Sequence, residues 1–331
     1  MEVFTLSKSD IERIVNISEI IEAVKQGFIY YSEGKAVIPP VVNLNISEHN
    51  GEVHIKSGHI QGFKQYCIKI ASGFWNNPAL GLPSGYGMML LFEAQTGFLS
   101  AILFDEGLLT DLRTAAAGAL AAQYLAVEHP AGVGVIGCGV QGRLQAQFLA
   151  KIRPFDTLYA CDIRTEAVQE FQQELSKLLP GVTVIPCKTP SEAALRSDIL
   201  ITATPSHTPL ITKNDIHPGL HITAVGSDAP DKQEIDENAF SQIDKIAADR
   251  IEQCSRLGEL HHALEAHIIT TNDIYGELGD IISGKLPGRE HSNETTLCDL
   301  TGVAIQDIAI ANWAVKKAQE NRLGRWIRMD A

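Results

Sequence analysis

The sequence predicts an α/β protein in which a doubly wound parallel sheet is joined to a smaller α+β domain. Short apolar strands alternate with helical segments from residue 133 onward, and a glycine-rich turn, Gly137-Cys-Gly-Val-Gln-Gly142, follows the first of them. The residues before 110 lack that rhythm. The expected division is therefore 115–302 for the alternating domain and 1–114 plus 303–331 for the other.

Ser18 followed by Ile20, Ile21, Ala23, Val24 and Phe28 reads as a capped amphipathic helix, ended by Gly34 and the Pro39-Pro40 pair. Residues 53–57, 66–71 and 88–92, separated by Gly and Asn turns, predict strands of an antiparallel or mixed sheet with one polar face. An alanine-rich helix is expected from Thr110, with Arg113 at its start. Strands are then expected at 133–136, 157–161, 182–185, 199–202, 221–225 and 245–248, with helical segments between most of them. A last helix over 303–321 follows the alternation and is expected to return to the first domain.

With 331 residues and 45% hydrophobic content, the chain can bury a sizeable core. Forty acidic against 27 basic residues give a formal charge of -13, which argues against a nucleic-acid or anionic-membrane surface. The six cysteines form no CxxC pair and no Cys/His spacing suited to zinc, so buried thiols and no metal are expected. No apolar run approaches the ~20 residues of a membrane span, and the start lacks the features of a signal peptide; a cytoplasmic protein is expected.

The glycines carry the first functional signal. Gly137 permits a tight turn, Gly139 lets backbone approach a pyrophosphate, and Gly142 allows close packing of the helix that the motif opens; Val140 and Gln141 within the motif are expected to bind the cofactor with them. Asp162 ends the next strand about 20 residues further on, where a carboxylate accepts hydrogen bonds from a ribose and repels a 2′-phosphate. This Rossmann fingerprint predicts NAD (NADH) in preference to NADP, with Arg164 pulling the other way. Thr202-Ala203-Thr204 closes the fourth strand with small residues, suited to backbone that passes close to a cofactor and equally to a strand ended by Pro205.

A second signal is cationic. Arg113 opposes the partial positive charge of a helix start, a conflict that a bound carboxylate would remove; the alternative is an ion pair with Asp111 or Glu106. Lys69 and Lys56 each alternate with apolar neighbours, and either alone reads as part of a solvated sheet face. Together with Arg113 they favour a small anionic substrate. Asp228 follows Gly226 and Ser227 where a strand gives out, as a turn former or as a group facing a ligand.

Four segments resemble the ornithine cyclodeaminase/mu-crystallin family: Ile68-Lys69 with Gly81-Leu-Pro83, Leu109-Thr-Asp-Leu-Arg-Thr-Ala-Ala-Ala117, Gly137 to Gln145, and Gly226-Ser-Asp-Ala-Pro-Asp-Lys-Gln-Glu234. The resemblance implies a homodimer whose first domain carries the dimer interface and substrate site, with nicotinamide at the junction of the domains. It makes Lys69 and Arg113 ligands of a substrate carboxylate, Asp228 the acidic group near the reacting amine or imine, and Thr301 and Gly302 neighbours of the nicotinamide.

Two departures stand out: Val41-Val42 replaces an arginine often found after the prolines, and His54, followed by Lys56, stands near a glutamate of ornithine cyclodeaminases. Pro39-Pro-Val-Val, Gly51-Glu-Val-His-Ile-Lys56 and the segment from Asp299 to Asp307 look most like the ectoine-utilisation and iminosuccinate-reductase branch. The resulting expectation is an NAD(H)-dependent imine reductase, or amino-acid dehydrogenase in reverse, with iminosuccinate reduced to aspartate as the favoured reaction and Lys56 holding the second carboxylate. Its rivals are an ornithine cyclodeaminase that makes proline and ammonia, and a dinucleotide-binding protein without turnover, like mu-crystallin.

Overall fold

A computed structural model describes residues 2–328. Two compact units divide the chain: residues up to Arg113 with those from Val303 on, and Thr114–Gly302. In the first unit β1 (Glu2–Ser7) leads through α1 (Lys8–Glu12) and α2 (Ile17–Ser32) to β2 (Ala36–Val37), β3 (Val42–Ile46), β4 (Gly51–Ile60), β5 (Gln65–Phe74), β6 (Gly85–Glu93) and β7 (Leu99–Phe104). The division falls inside α3 (Leu108–Leu125). That helix starts before the expected Thr110, because the Asp105 carboxylate accepts the Leu109 amide and caps it. Arg113 consequently lies in the body of the helix, away from its first turn, which corrects the expected helix-start placement.

The second unit holds β8 (Val133–Ile136), α4 (Val140–Ile152), β9 (Thr157–Cys161), α5 (Thr165–Leu178), β10 (Thr183–Pro186), α6 (Pro190–Ala194), β11 (Ile199–Thr202), β12 (His221–Ala224) and β13 (Lys245–Ala248). It continues with α7 (Ile251–Leu257), α8 (Glu259–Glu265), β14 (Ile274–Glu277), α9 (Leu278–Ile282) and β15 (Thr296–Asp299). Last among the described residues come α10 (Ala304–Glu320) and β16 (Arg325–Arg328), both within the first unit.

In the first unit the sheet order is β16-β1-β7-β6-β5-β4-β2, with β3 also on β4. β1 runs parallel to β7 and the other pairings are antiparallel, so the sheet is mixed. α10 packs on α2 and on β4 and β5, which sets its first turn against the strand that carries Lys69. The β4–β5 register places Lys56 directly opposite Lys69 and His54 opposite Ala71.

The second unit is an all-parallel sheet in the order β10-β9-β8-β11-β12-β15-β13-β14. Its central strands are buried along their whole length, as helices on both faces of a parallel sheet require. The winding reverses at β8, with β9 on one side and β11 on the other, so the crevice at the carboxyl ends of β8 and β11 is the place where such folds bind ligands. Among the described residues, no helix is long and apolar enough to cross a membrane.

Candidate functional site

Within the first unit three buried charges meet. Asp307, near the start of α10, accepts Lys69 Nζ at 3.2 Å and Arg113 Nε at 3.0 Å on one oxygen, and its other oxygen lies 3.1 Å from Lys69. Arg113 Nη1 donates to Gln306 Oε1 at 3.0 Å. Lys69 is only 2% exposed, so the solvated-face reading is wrong for it: the polar face of β5 is covered by α10, and Asp307 supplies the counter-charge. The alternative pairing of Arg113 with Asp111 or Glu106 gives way to the same aspartate. Asp307 and Gln306 were not singled out in the sequence, although an acid and an amide among the apolar residues that open the helix were a visible signal.

Burial pushes the Lys69 ammonium down to about 7, partly opposed by Asp307 and reinforced by Arg113 and Lys56. The Asp307 carboxyl is held below its usual value by those same cations, against burial. Lys69, Arg113 and Lys56 outnumber Asp307 in this cluster, and the Gln306 Nε2 donor and the Asp307 Oδ2 acceptor are buried there without a hydrogen-bond partner. An excess of cations suits an acceptor-rich anion. Further along β4, His54 bonds Asn43 and lies 3.4 Å from Glu52, which shares its strand face. An acid, Glu52, therefore stands beside His54, two residues earlier on the strand.

In the second unit the fingerprint residues have the geometry their spacing implies. Gly137 has φ 97°, and a side chain on it would strike the Ala203 carbonyl. Gly139 caps the N-terminus of α4 with open space where a Cβ would project, Val140 is exposed beside it, and Gln141 follows in the first turn. A Cβ on Gly142 would meet the Gly137 carbonyl, so the glycine permits the close turn-to-helix packing. This open, amide-lined helix start fits a dinucleotide pyrophosphate. Asp162 is held at the end of β9 by the Cys138 amide at 2.8 Å and the Arg164 amide at 2.9 Å. The Arg164 side chain is exposed and its guanidinium lies 3.9 Å from that carboxylate.

The remaining predicted residues sit at strand ends. Thr202 is buried as the last residue of β11, and Thr204 gives its amide and hydroxyl to Glu234. Gly226, just past β12, gives its amide to the other oxygen of Glu234. After β15, the Gly302 amide donates to Asp249 at 2.7 Å, and the Thr301 hydroxyl and the Gly302 carbonyl each accept from Gln253 at 3.0 Å. Asp228 is half exposed, 2.6 Å from Lys232 Nζ. The ion pair spans the turn, whose ends the Ser227 hydroxyl also ties by donating to the Lys232 carbonyl at 2.7 Å. Four carboxylates, Glu234, Asp249, Glu259 and Asp299, are buried behind these loops. Burial raises Glu234 to about 7 and Asp299 to about 8.

The ornithine cyclodeaminase/mu-crystallin family model matches residues 1–322. The chain belongs to this family. An archaeal alanine dehydrogenase dimer with bound NAD has 32% sequence identity and a TM-score of 0.93, over 99% of this chain and 100% of that one. The Delta(1)-pyrroline-2-carboxylate reductase of Thermococcus litoralis, in complex with NADH and L-proline, has 31% identity and a TM-score of 0.93, over 98% and 99%. The iminosuccinate reductase of Paracoccus denitrificans, in complex with NAD+, has 27% identity and a TM-score of 0.91, over 99% and 100%. The Rossmann fold read from the sequence is the fold of these family members.

Proposed function

We propose that this family member is an NAD(H)-dependent imine reductase, running in reverse as an amino-acid dehydrogenase, and that its substrate is a small α-imino acid. The observation that carries the reading is the buried Lys69–Asp307–Arg113 cluster, whose excess positive charge and spare amide donor call for a carboxylate. The glycine turn, the open start of α4 and Asp162 support NAD, and the three related structures contain NAD or NADH. Bound there, the nicotinamide supplies or accepts the hydride.

This chain's residues do the rest. Arg113 and Lys69 bind and orient the α-carboxylate, fixing the α-carbon in one geometry. Asp228 holds a proton at the imine nitrogen, directly or through water, and stabilises the iminium form. Thr202, Ala203, Thr204, Gly226, Thr301 and Gly302 are assigned to the cofactor, and His54 and Lys56 to the far end of the substrate. Iminosuccinate is the favoured substrate, with Lys56 assigned to the second carboxylate; the strand register that sets this second cation opposite Lys69 supports the assignment. Glu52 beside His54 favours a second reading, a cyclodeaminase acting on a basic amino acid. Six free, buried thiols suit a cytoplasmic enzyme.

The test is NADH oxidation with chemically generated iminosuccinate, cyclic imines, and α-keto acids with ammonia or methylamine, alongside ammonia release from ornithine with catalytic NAD. Turnover with an imino acid and none with ornithine is expected. Ammonia release from ornithine alone would establish the cyclodeaminase, and dinucleotide binding without turnover on any substrate would leave a binding protein.

A further inference from the structure

We infer that Glu234 is a positioning residue for the dinucleotide, a brace that ties the loop after β11 to the loop after β12. Its side chain is fully buried, and each carboxylate oxygen serves a different loop. Oε1 accepts the Thr204 amide at 2.7 Å and the Thr204 hydroxyl at 2.8 Å, while Oε2 accepts the Gly226 amide at 3.0 Å. A carboxylate accepts at both ends, which an amide side chain cannot do.

The brace is itself held from two sides. Glu259, the first residue of α8, accepts the Glu234 amide at 2.8 Å and the Ile235 amide at 3.1 Å. The Glu234 carbonyl accepts from the amides of Leu210 at 2.7 Å and Ile211 at 3.1 Å. With its backbone fixed, the side chain has little freedom to follow a moving loop.

The surrounding residues are shaped to admit it. A Cβ on Gly226 would stand 2.5 Å from the Glu234 carboxyl carbon and closer still to the Thr204 carbonyl oxygen, so only glycine leaves room for the carboxylate there. On the far side, Thr204 packs against the fingerprint turn: a Cβ on Gly137 would come within 2.9 Å of the Thr204 methyl. One carboxylate thereby joins the carboxyl ends of β8, β11 and β12, at the crevice where the winding reverses. The inference rests on dinucleotide binding in the proposed reading and not on which imine is reduced.

Amide hydrogen exchange and NADH titration by nicotinamide fluorescence, on the full chain and on Glu234→Gln and Glu234→Asp, test it. In Glu234→Gln the side-chain oxygen stays with the two Thr204 donors and the NH2 group faces the Gly226 amide; exchange at Gly226 should quicken and the Kd for NADH rise, each by about tenfold, while β12 amides stay protected. Glu234→Asp keeps the charge and loses the reach, so it should behave alike; it also serves if the glutamine variant does not fold. Unchanged NADH affinity in folded variants, or rescue by aspartate, would overturn the brace. A wild-type chain that binds NADH separates that failure from failure of the dinucleotide reading, which absence of binding in the wild type would bring down together with the brace.

Discussion

Asp228 has two claims on it at the residue scale. Its carboxylate is half exposed and already paired with Lys232, so an incoming iminium would compete with an ammonium for the same charge. Asp228→Asn keeps the size of the side chain while removing charge and proton exchange. If Asp228 stabilises the iminium, kcat/KM should fall by about 10²-fold or more, with NADH affinity and Tm little changed. Near-normal turnover in a folded variant would return the residue to the turn. Lys69 makes a second prediction at this scale. Its pKa is pushed down to about 7 by burial, so the free enzyme carries the cation below that pH and loses it above. The carboxylate anchor weakens accordingly, and kcat/KM should decline as pH rises through about 7 and on to 9. Lys69→Arg keeps its charge and should remove that limb, whatever it costs in absolute rate. A flat wild-type profile over the same range would contradict the assignment.

At the scale of elements, the pairing of β4 with β5 sets two lysines directly opposite each other, an arrangement that like charges disfavour. Lys56→Met should selectively raise KM for a dicarboxylic imine. Equal loss on monocarboxylic imines would end the second-carboxylate assignment. This pairing also shows what the sequence could and could not reveal. Strand periodicity set Lys56 and Lys69 each on the polar side of its strand but could not say what covered it, because the covering helix, α10, lies more than two hundred residues away in the chain. Asp307 was missed for that reason. β15 was missed for another: Thr296–Asp299 is only four residues long, lies after the rhythm of strand and helix has broken down, and enters the sheet beside β12, out of sequential order. The glycine turn and Asp162 were legible because their geometry is local, set by a strand, a turn and a helix contiguous in sequence.

On the scale of the whole molecule, β3 is an edge strand with Val42 and Leu44 more than half exposed, and Trp75, Leu80, Leu82 and Tyr86 add exposed apolar surface in the same unit. Edges and apolar patches of this kind invite a partner. We propose a second copy of the chain, as in the related alanine dehydrogenase dimer, and expect light scattering to give twice the chain mass. A monomer at micromolar concentration would contradict that. The central claim, hydride transfer to the carbon of a carboxylate-anchored imine, is tested most directly by turnover with NADH carrying deuterium at the transferable position of its nicotinamide ring. Mass spectrometry of the amino acid formed from iminosuccinate or a cyclic imine should find one deuterium, on the α-carbon, for each NADH consumed. NADH consumed without label on that carbon, or no amino acid formed from any imino acid by a chain that binds NADH, would contradict the account.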